Sequence, residues 1–156
     1  MAKRKKQKWG VGDIFLVPLA DGTFSLGQVI GQEKEALNSA VCIFSATKVL
    51  SPEDNAIINL DLDSVVSALF VTPDLLHSGD WPVVANSVSV PVEEYFDMSA
   101  LKAGGFVGTK IVGSGIVIKL MEACFGLYPW NGFFEPDYLD QLLLSPDKKP
   151  NGVIYK

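Results

Sequence analysis

His77 is the only histidine in the chain, and histidine is the side chain best suited to exchange a proton near neutral pH. Ser78 and Asp80 follow it, so the residue types of a nucleophile, a base and an orienting acid stand close together. A catalytic triad is a geometric arrangement, however, and neighbours in one short helix and its cap seldom converge on one point. A histidine just before Gly79 is better placed to meet the negative end of that helix. Cys42 and Cys124 are the only cysteines. Together with His77 they fall short of the four Cys/His ligands of a structural zinc site. Their wide separation makes neither a C-x-x-C redox pair nor a secreted disulfide framework. The expectation is two reduced thiols, no metal, no cofactor and no catalytic residue.

Glycine-rich stretches suggest phosphate loops but do not match them. Gly104-Gly105-Phe106-Val107-Gly108-Thr109-Lys110 has the wrong spacing and order for G-x-x-x-x-G-K-[ST]. Gly113-Ser114-Gly115 lacks the third glycine of a dinucleotide fingerprint. A nucleophile elbow around Ser114 would need glycines where Val112 and Ile116 stand. Bending the chain is the expected role of these glycines.

The carboxylates are more suggestive. One cluster holds Glu53, Asp54, Asp61 and Asp63, another Glu93, Glu94 and Asp97, and a third Glu135, Asp137 and Asp140. None fits the spacing of a calcium loop, and no pair is singled out for glycoside hydrolysis. Solvated faces explain most such clusters. The alternative use is recognition of a basic partner, where an acidic surface speeds and orients association. Six aromatics fall between residues 125 and 138: Phe125, Tyr128, Trp130, Phe133, Phe134 and Tyr138. Large aromatics serve cores and binding hot spots alike. Tyr128 and Trp130 therefore join the acidic clusters as interface candidates.

These residues must be held by a fold, and 156 residues amount to one domain. A composition of 48% hydrophobic and 20% charged residues is ordinary for a globular protein. The net charge of −5 conceals an asymmetry. Lys3, Arg4, Lys5, Lys6 and Lys8 lie in the first eight residues, and without them 8 basic side chains face 18 acidic ones, a net −10. An acidic body repels phosphate and counts against nucleic-acid binding. Residues 1–8 read as a disordered basic tail, ahead of a single domain over 9–156. The longest uncharged runs reach 12 residues, short of a membrane-spanning helix. The basic start lacks the apolar run of a signal peptide, so the expected location is the cytoplasm.

Residues 13–19 and 24–30 are rich in strand formers and flank Asp21-Gly22, a hairpin turn signal. Gly27 inside the second run suggests a bulge or tight bend. Residues 40–46, 65–71 and 81–90 read as further strands. Thr72-Pro73-Asp74 opens a short helix that Gly79 closes. From 114 to 125 the period changes, with Ile116, Val117, Leu120, Met121 and Cys124 on one helical face, while the β-branched run Ile116-Val117-Ile118 leaves a strand reaching Ile118 as the alternative. Residues 136–144 read as a second amphipathic helix, with Leu139, Leu142 and Leu143 inward and Pro146 as terminator. The expected class is α+β and mostly β. Its form is a twisted antiparallel sheet or partly open barrel, with short helices near the C-terminus. The expected core includes Phe15, Val17, Phe44, Leu120 and Leu143.

Gly12-Asp13-Ile14-Phe15, then Pro18-Leu19, Asp21-Gly22 and Gly27-Gln28-Val29, resemble the opening of the Immunity protein 26 family. Gly126-Leu127-Tyr128-Pro129-Trp130 and Pro136-Asp137-Tyr138-Leu139 resemble its end. These are bacterial proteins encoded beside polymorphic toxins. The resemblance implies a mostly β fold and a non-enzymatic role, binding and neutralising a cognate toxin by occlusion. An acidic body suits a basic toxin, and a basic nuclease is one partner of that description. The competing reading is a small β-barrel that binds nucleic acid through the basic N-terminal tail.

Overall fold

A computed structural model describes residues 6–51 and 60–156 of the chain. The Asp21-Gly22 signal does what its chemistry requires. Gly22 adopts a φ of +84°, Asp21 Oδ1 accepts the Thr23 amide at 3.1 Å, and β1 (Asp13–Pro18) turns back into β2 (Phe24–Glu33). β3 (Ser39–Val49) follows along β2 with two register shifts, and β4 (Val65–Val71) along β3. β5 (Val83–Asn86) returns to the outside of β1, and β6 (Ile111–Val112) adds to β4. The sheet is open, in the order β5-β1-β2-β3-β4-β6, and every pair is antiparallel except β4–β6. The helices are α1 (Asp74–Ser78), α2 (Met98–Ala103) and α3 (Ser114–Cys124). None is long and apolar enough to cross a membrane.

The sheet is buried on both faces, which is why β1, β3 and β4 read as nearly continuous apolar runs. On one face Phe15, Val17, Val29, Cys42, Phe44 and Val71 pack with Val117, Leu120 and Met121 of α3. On the other, Ile30, Val41, Ile43 and Phe70 pack beneath Val92, Phe96, Met98 and Leu101. Ile14, Leu16, Leu26 and Val49 form a smaller cluster. An aromatic nucleus centres the first face. The Phe15 ring stacks on Trp81 at 5.3 Å and 7°, and Phe44 meets both edge-on at 6.0 and 5.9 Å.

Several expectations need correction. The helix over 136–144 is only a 3-10 turn, Leu139–Leu142. Leu139 and Leu142 are buried, as an i,i+3 pair is in a three-residue turn, whereas Leu143 is only half-buried. The Leu144 amide donates to Val66 O at 2.9 Å, drawing the chain onto the edge of β4 instead of into another helical turn. The strand over 81–90 shortens to Val83–Asn86, because the Trp81 amide donates back to Leu75 O at 3.0 Å, Pro82 has no amide to give, and β1 ends opposite Asn86 where Gly12 leaves the strand at a φ of +97°. Of the tail expected over residues 1–8, only 6–8 are described. Residues 1–5 lie outside the described ones, but Gln7 is docked, its side-chain amide bonding Leu76 O and Trp81 O at 3.0 Å each. α1 also starts one residue late: Pro73 takes the cap position without a side-chain bond, and Gly79 closes it at a φ of +84° as expected.

Gly27 is not a bend. It lies directly opposite Phe15 in the β1–β2 register, and a Cβ there would sit 2.5 Å from Phe15 Cζ. Gly27→Ala should therefore lower the thermal midpoint, with overpacking costing about 1–3 kcal/mol. Gly115→Ala, in α3 with nothing within 4 Å of the added carbon, should be neutral or stabilising by up to about 1 kcal/mol. Two melting curves decide the matter. A Gly27→Ala chain that melts with the wild type would show that Phe15 is free to move.

Candidate functional site

The motif residues at the start of the chain are structural. Gly12 has a φ of +97°, and a Cβ there would lie 2.8 Å from Ser87 O. Its own carbonyl accepts the Ser87 amide at 3.0 Å and Gln28 Nε2 at 3.1 Å. The Asp13 carboxylate accepts the Gly10 amide at 2.9 Å and Asn86 Nδ2 at 2.8 Å. This knot of backbone and short polar side chains ties β1, β2 and β5 at one end of the sheet. At the other end Pro18 is exposed and closes β1 before the turn. There Asp21 accepts the Thr23 hydroxyl at 2.5 Å and pairs with Lys48 at 3.1 Å. The Thr23 bonds first, and then Lys48, hold its acid down from 3.8 to about 2. Ala20 N–H donates to Glu122 Oε2 at 2.7 Å, which fastens the hairpin to α3.

The His77 ring bonds Trp9 and not Ser78. Its Nδ1 accepts the Trp9 indole N–H at 3.0 Å, while Ser78 Oγ donates to Asp80 at 2.9 Å. Ser114 Oγ bonds the Asp74 carboxylate directly at 2.9 and 3.0 Å, and the Ser114 amide donates to Thr72 Oγ1. The glycine-flanked serine thus locks the start of α3 to the start of α1. Burial pushes the Cys124 thiol up to about 12 and the fully buried Cys42 thiol higher still. Among the described residues, no group of three or more His, Cys, Asp or Glu could hold a metal ion.

The acidic candidates separate. Glu53 and Asp54 lie outside the described residues. Asp61 caps the 3-10 turn Leu62–Ser64 by accepting the Asp63 amide at 3.0 Å. Lys148 reaches Asp63 O at 3.4 Å, and the adjoining groove also carries Asp147 and Lys149, so this surface is of mixed charge. Glu93 and Glu94 lie in the 3-10 turn Val92–Glu94, and Asp97 caps α2 by accepting the Ala100 amide at 3.0 Å. All three are exposed. With Tyr95, Phe96, Met98 and Ser99 they line a shallow groove of about 390 Å³. Among the described residues none of the three joins an ion pair. Burial, and then the Glu94 charge, raise the Tyr95 phenol.

The two groups are well apart. Asp63 precedes Val65 at the start of β4, while the Phe96 ring packs on Phe70 near its end at 4.9 Å. Five strand steps at about 3.3 Å amount to roughly 17 Å.

The aromatic candidates also divide. Trp130 is 1% exposed. Its indole donates to Asp140 Oδ1 at 3.0 Å, and Lys149 lies over its ring at 5.3 Å. Its backbone amide donates to Ile154 O at 2.7 Å, so the end of the chain helps seal it in the core, away from any partner. Tyr128 is half-buried, leaning over Gly132, where a Cβ would lie 2.7 Å from its ring. Pro129 is half-buried between them, and Gly126 turns at a φ of +74° with Gly152 O 3.1 Å from where a Cβ would sit. Phe134 is fully exposed.

A family model described as Immunity protein 26 matches residues 10–104. The chain belongs to the Immunity protein 26 family. The matched span holds the Gly12-Asp13 knot, the Asp21-Gly22 turn and the Glu93, Glu94 and Asp97 surface; residues 126–139 lie beyond it. No curated protein and no solved structure matches the chain.

The Asp21-Gly22 turn should respond to acid with a definite sign. Because the folded-state acid of Asp21 lies below its ordinary 3.8, its contribution is complete above about pH 4 and is lost as pH falls toward 2. The gap in melting temperature between wild type and Asp21→Asn should close over that window. In Thr23→Ala the Asp21 titration, followed by NMR, should move up toward the ordinary carboxylate value. An unmoved midpoint would mean that Thr23 does not hold the charge.

Proposed function

We propose that this chain is an immunity protein that binds a cognate bacterial toxin in the cytoplasm of the producing cell and neutralises it by non-catalytic occlusion. The observation that carries the reading is membership of the Immunity protein 26 family across residues 10–104. The geometry adds support for where the toxin sits. Glu93, Glu94 and Asp97 bring three exposed carboxylates beside a partly open groove with Tyr95 and Phe96 in its lining. A basic surface on the toxin would be steered to such a patch, and aromatic walls would give it contact area. A basic nuclease is a partner with that surface. The Asp61 and Asp63 region is the weaker candidate, since Lys148 and Lys149 lie beside it.

The choice of variant matters because Asp97 caps α2, and changing it would disturb a helix end as well as a charge. Glu93→Lys with Glu94→Lys leaves that cap in place. Against the toxin encoded beside this gene, the double variant should associate about tenfold or more slowly at low salt. It should protect co-expressing cells less well and melt like the wild type. Normal binding by the double variant would move the interface elsewhere. A wild-type chain that forms no complex with that toxin and gives no protection would refute the immunity reading for the pair.

A further inference from the structure

Residues 7–9 run across the C-terminal end of α1 and onto the edge of β5. The Gln7 amide donates to His77 O at 2.8 Å. Its side-chain Nε2 donates to Leu76 O and to Trp81 O, both at 3.0 Å, and its Oε1 accepts the Val83 amide at 2.9 Å. Bonding the carbonyl of residue 81 and the amide of residue 83 is what one residue of a parallel strand does to its neighbour. β5 is an outer strand of the sheet, and an open edge invites pairing with another chain. The Gln7 side chain therefore closes the β5 edge where the strand begins. Trp9 completes the strap, its indole N–H donating to His77 Nδ1 at 3.0 Å with the ring centroids 5.5 Å apart.

An indole nitrogen can only donate, so His77 Nδ1 must offer a lone pair, with the ring proton on Nε2. A proton added at Nδ1 sets two donors against each other. We propose that residues 7–9 form a proton-sensitive strap, held tightly over the β5 edge while His77 Nδ1 accepts from Trp9 and loosened when that nitrogen is protonated.

Among the described residues, the charged ones on the elements that meet here are Asp74 in α1, Asp80 just beyond it, and Lys6 and Lys8 on the strap; β5 carries none. Asp74 bonds Thr72 and Ser114, and Asp80 accepts from Ser78. His77 is the only group of the strap and its seat whose type exchanges a proton between pH 5 and 8. Trp9 is the only tryptophan not fully buried, since Trp81 and Trp130 are 0% and 1% exposed.

The test is residue-resolved amide exchange on the full chain, expressed as protection relative to intrinsic rates at pH 7.5 and 5.5. Protection at Gln7 and Val83 should fall about fivefold on acidification, the worth of one net hydrogen bond. In His77→Gln, which accepts but does not titrate, it should stay level. Trp9→Phe, which cannot donate, should begin at the lower protection and show no further fall. Wild-type protection that does not change with pH would overturn the proposal. So would a fall of equal size in His77→Gln, or a wild-type response in Trp9→Phe.

Discussion

Phe15 lies across Gly27, and much of the molecule depends on that contact. The ring can approach the neighbouring strand only because position 27 has no side chain. Held there, it gives Trp81 a flat surface to stack on and Phe44 an edge to meet. Trp81 anchors the stretch between α1 and β5, so the nucleus decides where β5 joins β1. The position of β5 in turn brings Asn86 and Ser87 to the Gly12-Asp13 knot. Side chains of the same cluster carry the packing onward to α3. Residues that resemble a family signature are thus fittings of the sheet.

The second buried face has a different consequence. Most open antiparallel sheets leave one face to water. Here Val92, Phe96, Met98 and Leu101 cover it, and the same short stretch sets Glu93, Glu94 and Asp97 outward. The acidic groove is therefore seated on a hydrophobic layer, with the Phe70–Phe96 pair below it. Charges mounted on packed structure lose little side-chain freedom on binding compared with charges on a loose loop. That favours this patch over Asp63, which shares its groove with two lysines.

The elements that were legible in the sequence are those whose signals are local. Asp-Gly between two strand-forming runs specified the first hairpin, and a helical stripe pointed to α3 (Ser114–Cys124) in spite of the β-branched Ile116-Val117-Ile118. The misread elements were decided by distant partners. Leu139, Leu142 and Leu143 suit a helix of 3.6 residues per turn until Val66 O takes the Leu144 amide. β6 has two residues between glycine-rich flanks and exists only because β4 offers an edge. Gln7 sits in a run of lysines and gives no hint in sequence that the termini of α1 and β5 await it. The aromatics from 125 to 138 lie in loop, where no periodicity separates a buried Trp130 from an exposed Phe134. Among the acidic candidates, sequence could show the charge but not the lysines that fold beside Asp63.

An occluding immunity protein removes toxin activity in proportion to the amount bound, because each chain blocks one toxin and is not released. Titrating a fixed amount of the neighbouring purified toxin with this chain is the most direct measurement. The expected result is a linear loss of activity to a sharp end point near one chain per toxin, with an isolable complex of that composition. Continued inactivation by a small fraction of an equivalent would contradict occlusion and indicate turnover. Full activity at a large excess would contradict neutralisation of that toxin altogether.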